Sequence, residues 1–227
     1  MIQKLISKIK GGNYQITSSY TKVEWCVIIN ERAWQILRGI WSKLFLTRLK
    51  GLFFKGKNVS IKHRRLFSSG KNLILGNGVT INALSENGIR LGENVTIAQN
   101  CTLICTGIIA DKGTGIRIGN NTGINAYCYL GGQGGITIGD DVIVGPYVKI
   151  FSENHNFSEG DLAIRKQGVS RKGVSIGNDC WIGANTAILD GVELKDRTVV
   201  AAGSVVTKSF EGNVLLGGIP AKVLKKI

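Results

Sequence analysis

The sequence predicts a mainly β solenoid built in six-residue steps, preceded by an amphipathic helical segment. Three observations point there. A phrase of the form Gly–Ile/Val–x–Ile/Leu–Gly–acidic-or-Asn recurs as Gly88–Asn94, Gly115–Asn121, Gly135–Asp141 and Gly173–Asp179, with a weaker copy at Asn72–Gly78. Aliphatic residues fall six apart at Ile176, Ile182, Ile188, Leu194, Val200 and Val206. The chain holds 31 Gly and only 2 Pro. A helix would space its apolar residues by three or four and an isolated strand by two, so a step of six fits neither alone. It fits short strands that turn a corner every six residues, three of them closing one triangular coil. Each coil then buries its inner face only by stacking on its neighbours.

Residues 1–57 lack the repeat. Ala33, Trp34, Leu37, Ile40, Trp41, Leu44 and Phe45 lie at helical spacing on one broad face, with Gln35, Arg38, Ser42 and Lys43 on the other. Residues 1–72 carry 15 Lys and Arg against 2 Glu, whereas the remaining residues carry 14 against 13 acidic ones. The basic character therefore belongs to the N-terminal region. No stretch there reaches the roughly 18 uninterrupted apolar residues of a spanning helix, and a signal peptide is not expected. Two readings stand for residues 23–54. The helix lies in the surface of an anionic membrane, or it caps the solenoid with its apolar face. Nucleic-acid binding has only charge in its favour, and no motif supports it.

From residue 58 to 227 the repeat holds. The same six-residue step runs through Leu91, Ile97 and Leu103, through Ile118, Ile124 and Leu130, and through Ile138, Val144 and Ile150. Four residues after each aliphatic comes a small inward position, occupied among others by Val95, Cys101, Thr122, Cys128, Val142 and Cys180. Those cysteines read as small buried hydrophobes. Five Cys without a CxxC motif give no disulfide framework, which suits a reducing cytoplasmic setting.

The repeat breaks once in a way that invites function. Ile150 and Ile176 lie 26 residues apart. One regular coil needs about 18, so about eight residues are expected to be extruded as a loop. His155 sits at its start, and loops on rigid scaffolds carry function. The only other histidine, His63, lies in the basic stretch Lys62–Leu66 and reads as a surface residue. A neutral imidazole, with an ordinary pKa of about 6.5, suits proton abstraction near neutral pH.

Three C-terminal blocks carry a resemblance: Asp179–Leu194 with its Cys-Trp-Ile-Gly start, Val199–Lys208, and Gly217–Lys222 with its Gly-Ile-Pro-Ala-Lys ending. Together they are similar to the hexapeptide-repeat acyltransferases, in the branch that includes maltose, galactoside and surface-polysaccharide O-acetyltransferases. The resemblance implies a left-handed parallel β-helix over residues 58–227. It implies acetyl-CoA as donor, no metal, and a homotrimer with sites between subunits. It also implies that His155 is the catalytic base and that Asn125 holds substrate or the thioester oxygen. Trp181, Gly183, Ala201, Ala202 and Lys208 are placed by it on the donor groove. Lys222, with Lys225 and Lys226, is expected either to meet the nucleotide phosphates or to form a solvated basic tail. Glu153 joins the substrate-binding set as a carboxylate able to orient the imidazole, with a solvated loop carboxylate as the plain alternative.

The chain also departs from the maltose and galactoside enzymes. Their N-terminal sugar-binding module is not recognisable, and Gly131 and Gly132 stand where they tend to carry an acceptor-pocket Asp. The expected activity is therefore O-acetylation of a surface glycan or its precursor, in the cytoplasm or at the inner face of the membrane. N-acetylation of an amino sugar or small amine is the alternative. A structural solenoid is a remote one, since the threonines keep no single position in the repeat. The carbonic anhydrase of this fold needs three His ligands, and this chain has 2 His.

Overall fold

Six-residue steps wind the chain through three parallel sheets. The computed structural model describes residues 17–227, and the first sixteen residues of the predicted segment 1–57 lie outside the described residues. The predicted left-handed parallel β-helix is what the chain forms. The first sheet stacks Phe53–Lys55, Leu73–Leu75, Thr96–Ile97, Gly123–Ile124, Ile143–Val144, Trp181–Ile182 and Thr198–Val200, then ends on Val214–Gly218 and the antiparallel Ala221–Lys226. The second runs from Ser60–Lys62 through Thr102–Ile104, Tyr129–Gly131 and Lys149–Phe151 to Val205–Val206. The third runs from Phe67–Ser69 through Ile116–Ile118, Ile136–Ile138 and Val174–Ile176 to Glu193–Leu194.

Register explains the step of six. Leu75, Ile97, Ile124, Val144, Ile182, Val200 and Leu216 pair one above another in the first sheet, and all are buried. Ile81, Leu103, Leu130, Ile150, Ile188 and Val206 form the same column in the second. Leu91, Ile118, Ile138, Ile176 and Leu194 form it in the third. The predicted small positions, including Cys101, Cys128 and Cys180, are buried between these columns. Each aliphatic removed from water contributes about 1.5–3 kcal/mol.

The recurring Gly–Asn/Asp–Asn/Asp phrase makes the corner between the third and first sheets. Its last residue takes the left-handed backbone at Asn94, Asn121, Asp141 and Asp179, with φ of 56°, 53°, 59° and 52°. Asn and Asp tolerate this region better than other side chains with a Cβ. Their side chains also bond from coil to coil. Asn94 Nδ2 donates to Asn121 Oδ1 at 2.9 Å, and Asn121 Nδ2 donates to Asp141 Oδ1 at 3.0 Å. The residue before each of Asn121, Asp141 and Asp179 accepts from the backbone of the coil before. Asn120 N–H donates to Asp140 Oδ1 at 2.6 Å, and Asp140 N–H donates to Asn178 Oδ1 at 2.9 Å. The glycine of the phrase leaves room for that oxygen, because a Cβ on Gly119 would stand 2.2 Å from Asp140 Oδ1.

The helix Lys22–Lys43 starts at a capping box. Glu24 N–H donates to Thr21 Oγ1, and Thr21 N–H donates to Glu24 Oε2 at 2.7 Å. It lies along Phe53–Lys55, the edge strand of the first sheet. Gly39 allows the close approach, since a Cβ there would stand 1.8 Å from the Phe53 carbonyl oxygen. Arg38 Nε donates to Lys55 O at 2.9 Å. An open strand edge is thereby covered. The face turned inward is not the apolar one, however. Gln35 and Gly39 are the helix's buried residues, while Trp34, Leu37, Ile40 and Trp41 are exposed. Of the two readings, a cap seated on the apolar stripe is not what the helix forms; it covers the strand edge with Gln35 and Gly39. The strand edge presents carbonyl groups, which Gly39 admits closely and Arg38 donates to, and which a bulky aliphatic side chain cannot satisfy.

Asn121→Ala should lower stability by about 1–2 kcal/mol, because it puts an ordinary Cβ in the left-handed region and removes two links of the ladder. Asn121→Gly, which relieves the backbone, should cost less. Urea denaturation followed by circular dichroism measures both. Equal losses would show that the corner conformation contributes nothing.

Candidate active site

The repeat is interrupted mainly at the corner between the second and third sheets. The first long excursion runs from Cys105 to Gly115, between Thr102–Ile104 and Ile116–Ile118. The second runs from Ser152 to Gly173, between Lys149–Phe151 and Val174–Ile176. Ile150 and Ile176 thus belong to consecutive sides of one coil. The extrusion is far longer than the eight residues expected, because no further coil lies between them.

The second excursion is an ordered hairpin. Asn154 and His155 pair antiparallel with Ser170 and Val169. Asn156 N–H donates to Gly168 O at 3.1 Å, and Gln167 Nε2 donates to Glu159 O and Leu162 O at 2.8 and 2.6 Å. Its root is fixed by the fully buried Ser152. That hydroxyl donates to Gly131 O at 2.6 Å and accepts from Gly134 N–H at 2.9 Å. His155 is exposed on the hairpin stem, three residues past this anchor.

Glu153 does not stand free beside the imidazole. Arg171 Nε donates to Glu153 Oε2 at 2.6 Å, and Arg171 NH1 bonds Asp111 Oδ1 at 2.8 Å. Arg171 and Glu153 are largely shielded, with side chains 18% and 22% exposed, so this pairing is better protected than a surface ion pair. Arg171 therefore ties the root of the His155 hairpin to the 105–115 loop. Between the two excursions lies the tight corner Gly131–Gly135, where a Cβ on Gly132 would stand 2.5 Å from Ile116 Cγ1. Gln133 is the one residue of that corner with a side chain, and its Oε1 lies over Gly131. Neither Asp111 nor Arg171 was among the residues singled out from sequence. The gap from Leu103 to Ile118, where the step of six fails, was the available signal.

The other predicted residues lie elsewhere on the prism. Asn125 follows Gly123–Ile124 at the corner between the first and second sheets. It is exposed, and its Oδ1 accepts from Ala126 N–H at 2.8 Å. Gly183, Ala201 and Ala202 lie at that same corner, two and three coils on. Gly183 is tight against the next coil, since a Cβ there would stand 2.5 Å from Ala202 N. Trp181 points outward from the first sheet and is 54% exposed, so it does not cover the core. It stands in register between Ile143 and Val199, which makes an outward apolar ladder. At the corner between the first and second sheets Tyr127 and Tyr147 stack with centroids 5.0 Å apart, both in the left-handed region. Lys208 lies on the His155 side, after Val205–Val206, with Nζ 5.6 Å from the Phe210 ring centroid. Lys222 is exposed on the last strand, opposite Gly217. His63 is exposed at a left-handed turn. One chain therefore brings His155, Glu153 and Lys208 to one corner, and Asn125, Gly183, Ala201 and Ala202 to another.

A family model described as the hexapeptide repeat of succinyl-transferase matches residues 173–208. Galactoside O-acetyltransferase of Escherichia coli (strain K12) is 34% identical over 116 residues, covering 51% of this chain and 56% of that protein. The chain thus spans little more than half the length of that relative. A putative lipopolysaccharide biosynthesis O-acetyl transferase, WbbJ, of the same organism is 29% identical over 149 residues, covering 63% of this chain and 74% of that protein. Among solved structures, AntD, an N-acyltransferase from Bacillus cereus, superposes with a TM-score of 0.53 at 19% identity, over 82% of this chain and 87% of that one. The last is a likeness of fold. Residues 173–208 thus carry the hexapeptide repeat, and the chain is similar to proteins named as acetyltransferases.

Arg171→Ala should raise hydrogen exchange across residues 152–173 by about tenfold, the size of one charge-assisted hydrogen bond. Lys149–Phe151 and Val174–Ile176 should keep their protection. Arg171→Lys, which keeps the charge and loses the fork, should fall between. Unchanged exchange would mean that the hairpin's own hydrogen bonds hold it.

Proposed function

We propose that this chain is an acetyl-CoA-dependent O-acetyltransferase that modifies a sugar hydroxyl of a surface glycan or its precursor. The observation that carries the reading is His155, exposed on a braced hairpin that leaves a rigid coil. A sugar hydroxyl is too weak an acid to attack a thioester quickly unaided. His155 takes the hydroxyl proton as that oxygen bonds to the acetyl carbon. The carbon–sulfur bond then breaks, and His155 returns the proton to the departing sulfur. Such general-base assistance is worth about 10²–10⁴-fold. An amide donor such as Asn125 would steady the negative oxygen formed in between.

The donor set fits an extended thioester arm. Exposed Trp181 offers a flat apolar surface, and Ala201 and Ala202 keep the neighbouring corner low. Lys208 and Lys222 supply charge for phosphates. Because His155 and Asn125 stand on different corners, the reading includes a homotrimer whose site joins corners of two subunits. The outward ladder of Ile143, Trp181 and Val199 supports such an interface, as does exposed Phe157 on the hairpin. The four buried cysteines are free thiols, in keeping with a cytoplasmic setting. Burial pushes the Cys105 thiol up to about 12 and keeps it inert.

An amine acceptor on a nucleotide-linked sugar is the second reading, since the same base and donor surface serve it. Alkali releases acetate from an ester and leaves an amide intact, which separates the two products.

Thiol release from acetyl-CoA with a glycan acceptor measures the reaction. His155→Ala should lower kcat by about 10²–10⁴-fold with little change in the donor KM. Trp181→Ala should instead raise the donor KM. A His155→Ala variant with full kcat would remove the general-base assignment.

A further inference from the structure

We infer that the helix Lys22–Lys43 and the first coil form a docking surface for an anionic lipid bilayer, with the helix lying in the membrane surface. The inference does not depend on the acyl-transfer reading.

The first support is which face the helix leaves open. On a helical projection Val23, Val27, Trp34, Leu37, Trp41 and Leu44 fall in one arc. All six are exposed, Trp41 and Leu44 at 72% and 69%. Phe45 continues the stripe past the helix end and is also exposed. The face packed on Phe53–Lys55 buries Gln35 and Gly39, with Trp25, Ile28 and Ile36 half-buried on the same side. A surface helix ordinarily turns its apolar stripe to the core, whereas here a broad apolar stripe is left facing away from it. Contiguous exposed apolar surface of this kind marks a site of association.

The second support is charge at the border of that stripe. Arg38, Lys55 and Arg64 gather there. Lys55 lines a groove with Trp34, Leu37, Arg38, Trp41 and Ser42. Its Nζ donates to Ser42 Oγ at 2.9 Å. The Arg64 guanidinium stands 5.5 Å from the Phe45 ring centroid. Among the described residues, none of the ion pairs involves these three cations. Burial, then Arg64, then Arg38 hold the Lys55 ammonium below its usual range. An arriving anion would relieve the repulsion. Exposed Arg48 and Lys50 follow directly in the chain.

Aromatic and aliphatic side chains beside unpaired cations match the boundary between acyl chains and anionic headgroups. No described helix is long and apolar enough to cross a membrane. The geometry is that of a helix lying on the bilayer. A second copy of the chain is the other possible occupant. Two copies of this face would set the same cations against each other, which disfavours it.

The test is sedimentation of the full chain with vesicles of phosphatidylcholine mixed with phosphatidylglycerol, against vesicles of phosphatidylcholine alone. Binding should require the anionic lipid and weaken as salt is raised. Trp34→Ser with Trp41→Ser should lower partitioning by about tenfold or more. Lys55→Gln with Arg64→Gln should lower it about fivefold per cation. Circular dichroism should match the native chain in both pairs, since the replaced aromatics are exposed. Absence of native binding to the anionic vesicles would overturn the inference. So would binding that both double variants retain. A drop in native mass by light scattering on replacing the two Trp would overturn it in favour of a second copy.

Discussion

The left-handed backbone at the corners is the constraint on which the rest depends. A strand of two or three residues has too few hydrogen bonds to persist alone. It persists here because every coil repeats the same three turns and lands in register on the one before. Asn94, Asn121 and Asp141 take the same φ at the same corner, within a few degrees. The carbonyl and N–H groups of consecutive coils consequently meet along all three sheets. The aliphatic columns follow from that register, as do the side-chain ladders that run outside them. Cost and return are both local: each turn strains one residue and gains a row of bonds on each side of it.

Such a scaffold can depart from its rule only where a corner is not needed for stacking. Here that is the corner between the second and third sheets. The 105–115 loop and the 152–173 hairpin leave there, on either side of the short Gly131–Gly135 turn. Ser152 fixes the second excursion at its root, and Arg171 joins it to the first through Asp111. His155 thus sits on a projecting element braced at its root. Its proposed partners lie on another corner, so the reaction as proposed belongs to an assembly. The open helix face at the first coil is separate from both corners.

The periodic part was readable before any coordinates. Ile176, Ile182 and Ile188 are buried because a step of six admits one alignment of three-sided coils. Cys101, Cys128 and Cys180 could be placed by the same rule. His155 was found because it starts a break in the rule. The Arg171–Glu153–Asp111 bridge was not found, because it joins residues far apart whose spacing means nothing outside the fold. The length of the hairpin was underestimated for a related reason. Periodicity shows that a repeat has stopped, and not on which side of the coil it resumes. The helix taught the opposite lesson. Its stripe was plain in the sequence, yet amphipathicity alone does not say which face meets protein. Phe53 and Lys55, with carbonyls open at the strand edge, decided that by favouring Gly39 and Arg38.

The central claim is that residues parted on one chain, His155 and Asn125, act together across a subunit boundary. Subunit complementation tests it most directly. His155→Ala and Asn125→Ala chains, each depressed alone, would be mixed, dissociated and reassembled, and transfer measured again. Random mixed trimers should regain about a quarter of the native sites, each with His155 from one chain and Asn125 from its neighbour. A mixture no more active than its components would contradict the account and return the whole reaction to a single chain.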